Sequence, residues 1–251
     1  MGKSRWSIWV DVEGFSELYC TDEVQAIRAL RDLMESLYLI GSTIFSQSPD
    51  RLFIHQFGDG FVIVSDFQET SPGRPIAVCL AVMRHLLFRG VVTKAAISVG
   101  GFADISSCYP CVVRQALKDR RYVELGRGMM TITPGMGTAL INSYRLANKR
   151  IGGVLVFDPS PFNLMSGGVI IKSGSPPVID WVHSDFAMVG EICDKAGLDK
   201  VDKPTAEERL KDYIEQHKGM LRNDWIRSTL DSVGLTTAEV DNGEGNNLRT
   251  N

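Results

Sequence analysis

Phe57-Gly58-Asp59-Gly60-Phe61 is the stretch whose reading decides the fold. Arg51 to Phe57 reads as one strand and Phe61 to Ser65 as the next, so Gly-Asp-Gly is a tight hairpin with a carboxylate at its tip. Asp-Gly between two apolar runs is a strong hairpin signal, because glycine supplies the positive φ that the turn needs. Asp59 is then either a turn residue alone or a ligand. A second carboxylate bears on the choice. Trp6 to Val10 is an apolar run that ends at Asp11 and continues as Val12-Glu13-Gly14-Phe15-Ser16. An Asp at the end of a buried strand and an Asp on a hairpin are placed to converge on one divalent-cation site.

Outward from the hairpin, the pattern alternates strand and helix. Trp6 to Val12 is the first strand, and Gly14, Phe15 and Ser16 turn the chain. Asp22-Glu23 opens a helix with acids in its first turn, where they favour the macrodipole. Val24, Ile27, Leu30, Leu33, Met34, Leu37 and Tyr38 recur at threes and fours as the stripe expected to face the core. After the hairpin, Ile76 to Phe88 is a helix apolar on most sides, and Val91 to Val99 is a strand containing Lys94. The order β-α-β-β-α-β predicts an α+β fold: a ferredoxin-like antiparallel sheet with the helices on one face. In it the first and third strands are neighbours, which brings Asp11 to the hairpin tip.

The later chain reads less sharply. Val112 to Lys118 is a short helix and Asp119-Arg120-Arg121 a solvated charge run. Pro134-Gly-Met-Gly137 leads into a helix over Thr138 to Lys149, with Leu140, Tyr144 and Ala147 on its inner face and Arg145 off it. Gly153 to Phe157, Val169 to Lys172 and Val178 to Val182 read as strands. Pro204-Thr-Ala-Glu-Glu208 reads as a capping box, and Trp225, Ile226 and Leu230 give a further helix its apolar side. The expected division is a domain over 1–185, a helical appendage over 186–237 and a disordered polar tail over 238–251.

Composition narrows the function. A chain of 251 residues that is 44% hydrophobic builds a full core as a soluble globular protein. A net charge of −3 gives no electrostatic case for a general nucleic-acid or membrane binder. The longest apolar run, Ile76 to Val92, contains Arg84, His85 and Arg89 and is too short to span a bilayer. Residues 1–5 lead straight into a strand, with no signal peptide. The five cysteines, Cys20, Cys79, Cys108, Cys111 and Cys193, are odd in number and scattered, which fits a reducing cytoplasm. Cys108 and Cys111 form a lone C-x-x-C with no second pair to complete a zinc site.

The two carboxylates suit a pair of Mg²⁺ or Mn²⁺ ions, which take oxygen ligands and leave room for phosphates. The carbonyl of Val12 is the expected third protein ligand, and the backbone N–H groups of Gly14, Phe15 and Ser16 are expected to receive a triphosphate. One ion would acidify an attacking hydroxyl and the other hold the leaving oxygens. A cation such as Arg145 would stabilise charge on the transferring phosphorus. His55 is either a satisfied core residue or part of the site, and Lys94 either a solvated strand-end charge or a site donor.

These segments resemble class III nucleotidyl cyclases, the adenylate and guanylate cyclase family. Ile8-Trp-Val-Asp11-Val-Glu-Gly-Phe-Ser16 is similar to the family's first metal motif, and Phe57-Gly-Asp-Gly-Phe61 to its hairpin. Lys94 to Gly100 resembles the following strand, and Gly137-Thr-Ala-Leu-Ile-Asn-Ser-Tyr-Arg-Leu146 the helix that carries the family's transition-state Arg. The likeness spans residues 6 to 182 and implies a dimer built head to tail, with sites shared between protomers. It implies metal binding by Asp11 and Asp59, a transition-state role for Arg145, and cyclisation of an NTP to a 3′,5′-cyclic nucleotide with release of pyrophosphate.

The chain also departs from that pattern. Ile141 stands where the family has Asn, with Asn142 beside it as a low-ranking substitute toward the ribose or transition state. His55 stands where adenylate cyclases carry Lys and guanylate cyclases Glu, and Thr131, Thr133 and Pro134 replace the expected partner determinant. With neither purine determinant present, the chain looks most like the bacterial pyrimidine cyclases of Pycsar antiphage defence. That likeness implies cyclic UMP or cyclic CMP as product, read by a separate effector. His55, Lys94 and Thr133 are the candidate base readers, and a donor such as Lys94 facing the position where cytosine carries its amino group favours UTP. CTP or a purine nucleotide, or a non-catalytic nucleotide-binding module, are the alternatives. A ferredoxin-like RNA binder lacks its aromatic strand signature here.

Overall fold

The computed structural model describes residues 4–47, 50–69, 71–117, 122–125, 127–160, 162 and 167–236. The charge run at 119–121 and the tail at 238–251 lie outside these residues. Strand β1 (Ser4–Val12) is followed by the short helix α1 (Phe15–Thr21) and the long helix α2 (Glu23–Thr43). The hairpin β2 (Leu52–Phe57) and β3 (Gly60–Ser65) comes next, then α3 (Gly73–Phe88) and β4 (Thr93–Gly101). These strands lie in the order β4-β1-β3-β2 and pair antiparallel, the ferredoxin-like arrangement that the alternation predicts.

The sheet continues past β4. After β5 (Ala103–Asp104), α4 (Cys111–Leu117), the ribbon β6 (Tyr122–Leu125) and β7 (Gly128–Thr131), β8 (Gly135–Met136) and α5 (Thr138–Ala147), strand β9 (Leu155–Phe157) joins β4 in parallel. β10 (Ile171–Lys172) and β11 (Val178–Ile179) extend that side, so the main sheet has seven strands and is mixed. Helices α6 (Ala187–Ala196), α7 (Lys203–His217) and α8 (Asn223–Val233) complete the described chain.

The side-chain period of two divides β1 between two layers. Trp6, Ile8, Val10 and Val12 face a core shared with α2 and α3, and residues of α6, α7 and α8 belong to that same core. Trp9 faces the other layer with Val62, Ala96, Ala139 and Leu146, where α5 covers the sheet. The contact between α5 and β4 is close enough to require glycine: a Cβ on Gly100 would lie 2.3 Å from the Ala139 nitrogen. Ser7 Oγ donates to the Ala139 carbonyl at 2.7 Å, and the Gly101 N–H to Thr138 Oγ1 at 2.8 Å.

Three details differ from the sequence reading. In α2 the buried residues are Ala26, Ala29, Leu33, Ser36, Leu37 and Ile40, whereas Val24, Ile27, Met34 and Tyr38 are exposed. The helix carries two apolar stripes, and the one lined with alanine lets it approach the core closely. In α5 the inner face is Ala139, Ser143, Leu146 and Ala147, and Tyr144 is exposed. Helix α7 is capped by Asp202, whose carboxylate accepts from the Thr205 N–H, and not by Thr205. His183 ties α7 to the sheet, with Nδ1 on Asp180 at 3.0 Å and Nε2 on Glu207 at 3.1 Å.

The α5–β4 contact is expected to be intolerant of added volume. Gly100→Ala should lower stability by about 1–3 kcal/mol in urea unfolding through overpacking. Gly219→Ala, where a Cβ meets nothing within 4 Å, should change it by less than about 0.5 kcal/mol. Equal effects of the two would show that the contact is not tight.

Candidate active site

Asp11 lies near the end of β1, directly opposite Gly60 on β3 and Lys94 on β4. Opposed residues of an antiparallel pair share a face, so all three lie on the α5 side of the sheet. Asp59 precedes Gly60 in the two-residue turn, where Gly58 adopts φ +64° and carries the left-handed conformation. Gly60 serves a different need. A Cβ there would lie 2.4 Å from Cζ2 of Trp9, so only glycine admits the indole. Held there, Trp9 donates from Nε1 to Asp11 Oδ2 at 3.0 Å. Tyr144 meets the Trp9 ring edge-on at 4.9 Å between centroids, and Phe57 lies 6.5 Å away.

The second carboxylate oxygen, Asp11 Oδ1, is buried with no hydrogen-bond partner. Burial raises the Asp11 pKa to about 6; the bond from Trp9 works against this, as does Lys94, while the charges of Glu13 and Asp59 add to it. An unsatisfied acceptor beside a second carboxylate, at the end of a sheet, is the donor chemistry of a hard divalent cation. Asp11, Asp59 and the Val12 carbonyl are the groups that would hold it. Among the described residues no cluster of three or more His, Cys, Asp or Glu side chains is assembled for a metal, so such a site depends on backbone and ligand oxygens.

Glu13, two residues beyond Asp11, binds Lys94 in an ion pair of 2.9 Å, with both side chains 12% exposed. Its other oxygen accepts from Trp225 Nε1 at 3.0 Å. The sequence reading assigned roles to neither Trp9, which the period of two puts on the face of Asp11, nor Glu13, in the turn after β1. The contact with Trp225, 212 residues away, has no local signal.

The remaining sequence candidates divide. Gly14 is left-handed at φ +71° and caps α1, so Gly14, Phe15 and Ser16 form a turn into a helix. His55 lies on the site face of β2, its ring 5.6 Å from that of Phe102 and tucked under Gly135, next to the segment that carries the exposed Thr133. Lys94 lies on the other side of Asp11, with β1 and β3 between it and His55. Asn142 donates to the Val99 carbonyl at 2.8 Å. Arg145 is exposed on α5 and makes no ion pair among the described residues.

No family model matches the chain, and no curated protein matches it. Solved structures similar to it include a class III adenylyl cyclase-like ATP-binding protein from Pseudomonas aeruginosa, at 12% identity and TM-score 0.44, covering 76% of this chain and 40% of that one. Another is the non-canonical dimeric guanylyl cyclase domain of the RhoGC fusion protein from the aquatic fungus Blastocladiella emersonii, at 8% identity and TM-score 0.42, covering 70% and 94%. A third is a bacterial light-regulated adenylyl cyclase, at 11% identity and TM-score 0.44, covering 82% and 57%. The chain thus spans less than half of the first of these proteins. Among the described residues no helix is long and apolar enough to cross a membrane.

The carboxylate of Asp11 gives the site a pH signature. Its folded pKa of about 6 exceeds the ordinary value of 3.8, so ionising it costs stability as pH rises from about 4 to above 6. In metal-free buffer, Asp11→Asn is expected to stabilise the protein by about 1–3 kcal/mol at pH 7.5, with the gain vanishing below about pH 4. Thermal unfolding of both proteins across that range measures it; a gain independent of pH would refute the assignment.

Proposed function

We propose that the chain is a metal-dependent nucleotide cyclase that converts UTP to 3′,5′-cyclic UMP and pyrophosphate. The observation that carries the reading is Asp11 opposite the Asp59 hairpin, with one of its oxygens buried and unsatisfied. Mg²⁺ or Mn²⁺ ions bound there would supply Lewis acidity to the 3′-hydroxyl and to the leaving phosphate. The N–H groups of Gly14, Phe15 and Ser16 bind the triphosphate at the opening of α1. The ribose 3′-oxygen attacks the α-phosphorus, its proton passes to water, and the bond to the bridging oxygen of pyrophosphate breaks. Arg145 stabilises the charge that builds on the phosphorus.

Arg145 is assigned to the site of a second protomer. Supporting this are its lack of an ion pair among the described residues and the exposed apolar side chains of the same region. Leu125, Met129 and Met130 are exposed on the β6–β7 ribbon, and Ile141 and Tyr144 on α5, a surface suited to a second copy of the chain.

For the base, His55 and the segment of Thr133 are neighbours and are assigned as readers. The ion pair of Lys94 with Glu13 makes it a positioning residue for Asp11. His55→Ala is therefore expected to alter the UTP to CTP turnover ratio, whereas Lys94→Ala should slow all NTPs alike. The reverse pattern would return Lys94 to base reading. The scattered cysteines support a cytoplasmic setting, and the motif resemblance alone supports a role in antiphage signalling through a separate effector.

One observation favours a second reading, a non-catalytic nucleotide-binding module. Asn142 is committed to the Val99 carbonyl, and Ile141 beside it is exposed, so neither presents an amide to a ribose in this arrangement. Incubation with each NTP and Mn²⁺ separates the two. Pyrophosphate release is expected, fastest with UTP; its absence with every NTP at high protein concentration would leave the binding module. Asp59→Ala should abolish turnover, and Arg145→Ala should lower it about a hundredfold or more. Mixing the two variants should restore about a quarter of the sites, because half the dimers are mixed and each has one intact site. No rescue despite demonstrated subunit exchange would refute the shared site.

A further inference from the structure

A cavity of about 450 Å³ adjoins the candidate active site, sharing Val12, Glu13 and Gly14 with it, and lies between α1 and α2 on one side and α7 and α8 on the other. Its volume is that of a small-molecule site. The floor is apolar, with Leu18, Val91 and Leu221 among its residues. One wall is aromatic: Tyr213 stacks on His217 at 4.3 Å, and Trp225 lies 6.4 Å from Tyr213.

The charge at the lining is unbalanced. Three carboxylates, Glu13, Glu17 and Asp224, face one guanidinium, Arg222. Asp224 is neutralised by Arg222 at 2.5 Å, and Glu13 by Lys94 at 2.9 Å. Glu17 makes no ion pair among the described residues. His217 Nδ1 donates to the Tyr213 carbonyl at 2.8 Å, which fixes the ring on the aromatic wall. The lining therefore offers ring faces and, in Glu17, a carboxylate without an ion pair among the described residues, which together suit a cation.

The cavity is wired to Asp11. Trp225, in its wall, donates to Glu13 at 3.0 Å; Glu13 pairs with Lys94, and Lys94 stands opposite Asp11 on the neighbouring strand. A molecule that packs against Trp225 shifts the donor that orients Glu13, and with it the cation beside Asp11. We propose that this cavity binds an arylalkylamine, a flat apolar ring system with a protonated nitrogen on an alkyl carbon, and that its occupancy reaches the candidate active site through Trp225, Glu13 and Lys94. Binding and coupling are independent of the cyclase reading; only their use in regulating turnover rests on it.

The test uses the full chain labelled with ¹⁵N at its four tryptophans, whose indole N–H signals are followed without any NTP. The probe is 2-naphthylmethylamine, and 2-naphthoate has the same ring system with the opposite charge. The amine is expected to shift the Trp225 signal saturably, and the Trp9 signal, which reports the bond to Asp11, with the same midpoint. The carboxylate should bind about tenfold more weakly or worse. Leu18→Trp, which fills the cavity, should remove binding, and the surface change Glu17→Gln should lower the affinity for the amine severalfold. In Trp225→Phe the amine should still bind but no longer move the Trp9 signal. Equal affinity for the two probes overturns the ligand class, as does an unchanged affinity in Glu17→Gln, a result that decides the matter even if Leu18→Trp does not fold. Undiminished binding to a folded Leu18→Trp overturns the location. A stationary Trp9 signal in the wild type, or one that still moves in Trp225→Phe, overturns the coupling.

Discussion

The Trp9 indole packed against the bare Cα of Gly60 is the contact on which the candidate site depends. It fills the space where a side chain on β3 would stand, and it aims the indole N–H at one oxygen of Asp11. That leaves the other oxygen dry and unmatched. A larger residue at Gly60 would displace the ring and free Asp11 to find another donor. The central position of β1, between β3 and β4, holds the arrangement in place, because every side chain near Asp11 is set by the register of three paired strands.

Two carboxylates two residues apart reach different ends by their surroundings. Glu13 is matched at every turn, by Lys94, by the Trp225 indole and, at 3.4 Å, by the Gly152 N–H. It acts as a structural anchor. Asp11 has one neutral donor and a buried oxygen without any, so its ionised form is the less comfortable one. The cationic neighbour that would relieve Asp11 is held by Glu13. The Lys94 ammonium thus makes its ion pair with Glu13 and acts on Asp11 only as a nearby charge.

Much of this was legible in the sequence because it is local. The hairpin, the βαββαβ order and the adjacency of Asp11 to the turn follow from period, glycine and Asp placement, and β1 to β4 sit where the pattern puts them. Helix α2 was misread because Val24, Ile27, Met34 and Tyr38 are as apolar as the residues that are buried, and alanines that permit close approach score weakly on hydrophobicity. Trp9 was within reach of a stricter use of the two-residue period. The bond between Glu13 and Trp225 was not, because nothing near either residue encodes a partner so far along the chain. The same holds for α5, whose close cover of the second sheet face depends on Gly100 and Gly137, read locally only as a strand end and a helix entry.

Helix α8 has a consequence for the order in which this molecule is made. Its Trp225 completes the hydrogen bonding of Glu13, Ser228 donates to the Ile151 carbonyl, and Thr229 accepts from Gly153. A chain emerging from the ribosome with its amino end first forms β1 long before these partners exist. Until the last described helix arrives, Glu13 and the apolar floor beside it stay open to water, and the strand that bears Asp11 ends in a half-made corner. Folding of the site therefore waits on α8, and a nascent chain stalled before α8 would hold the motif residues without the frame that orients them.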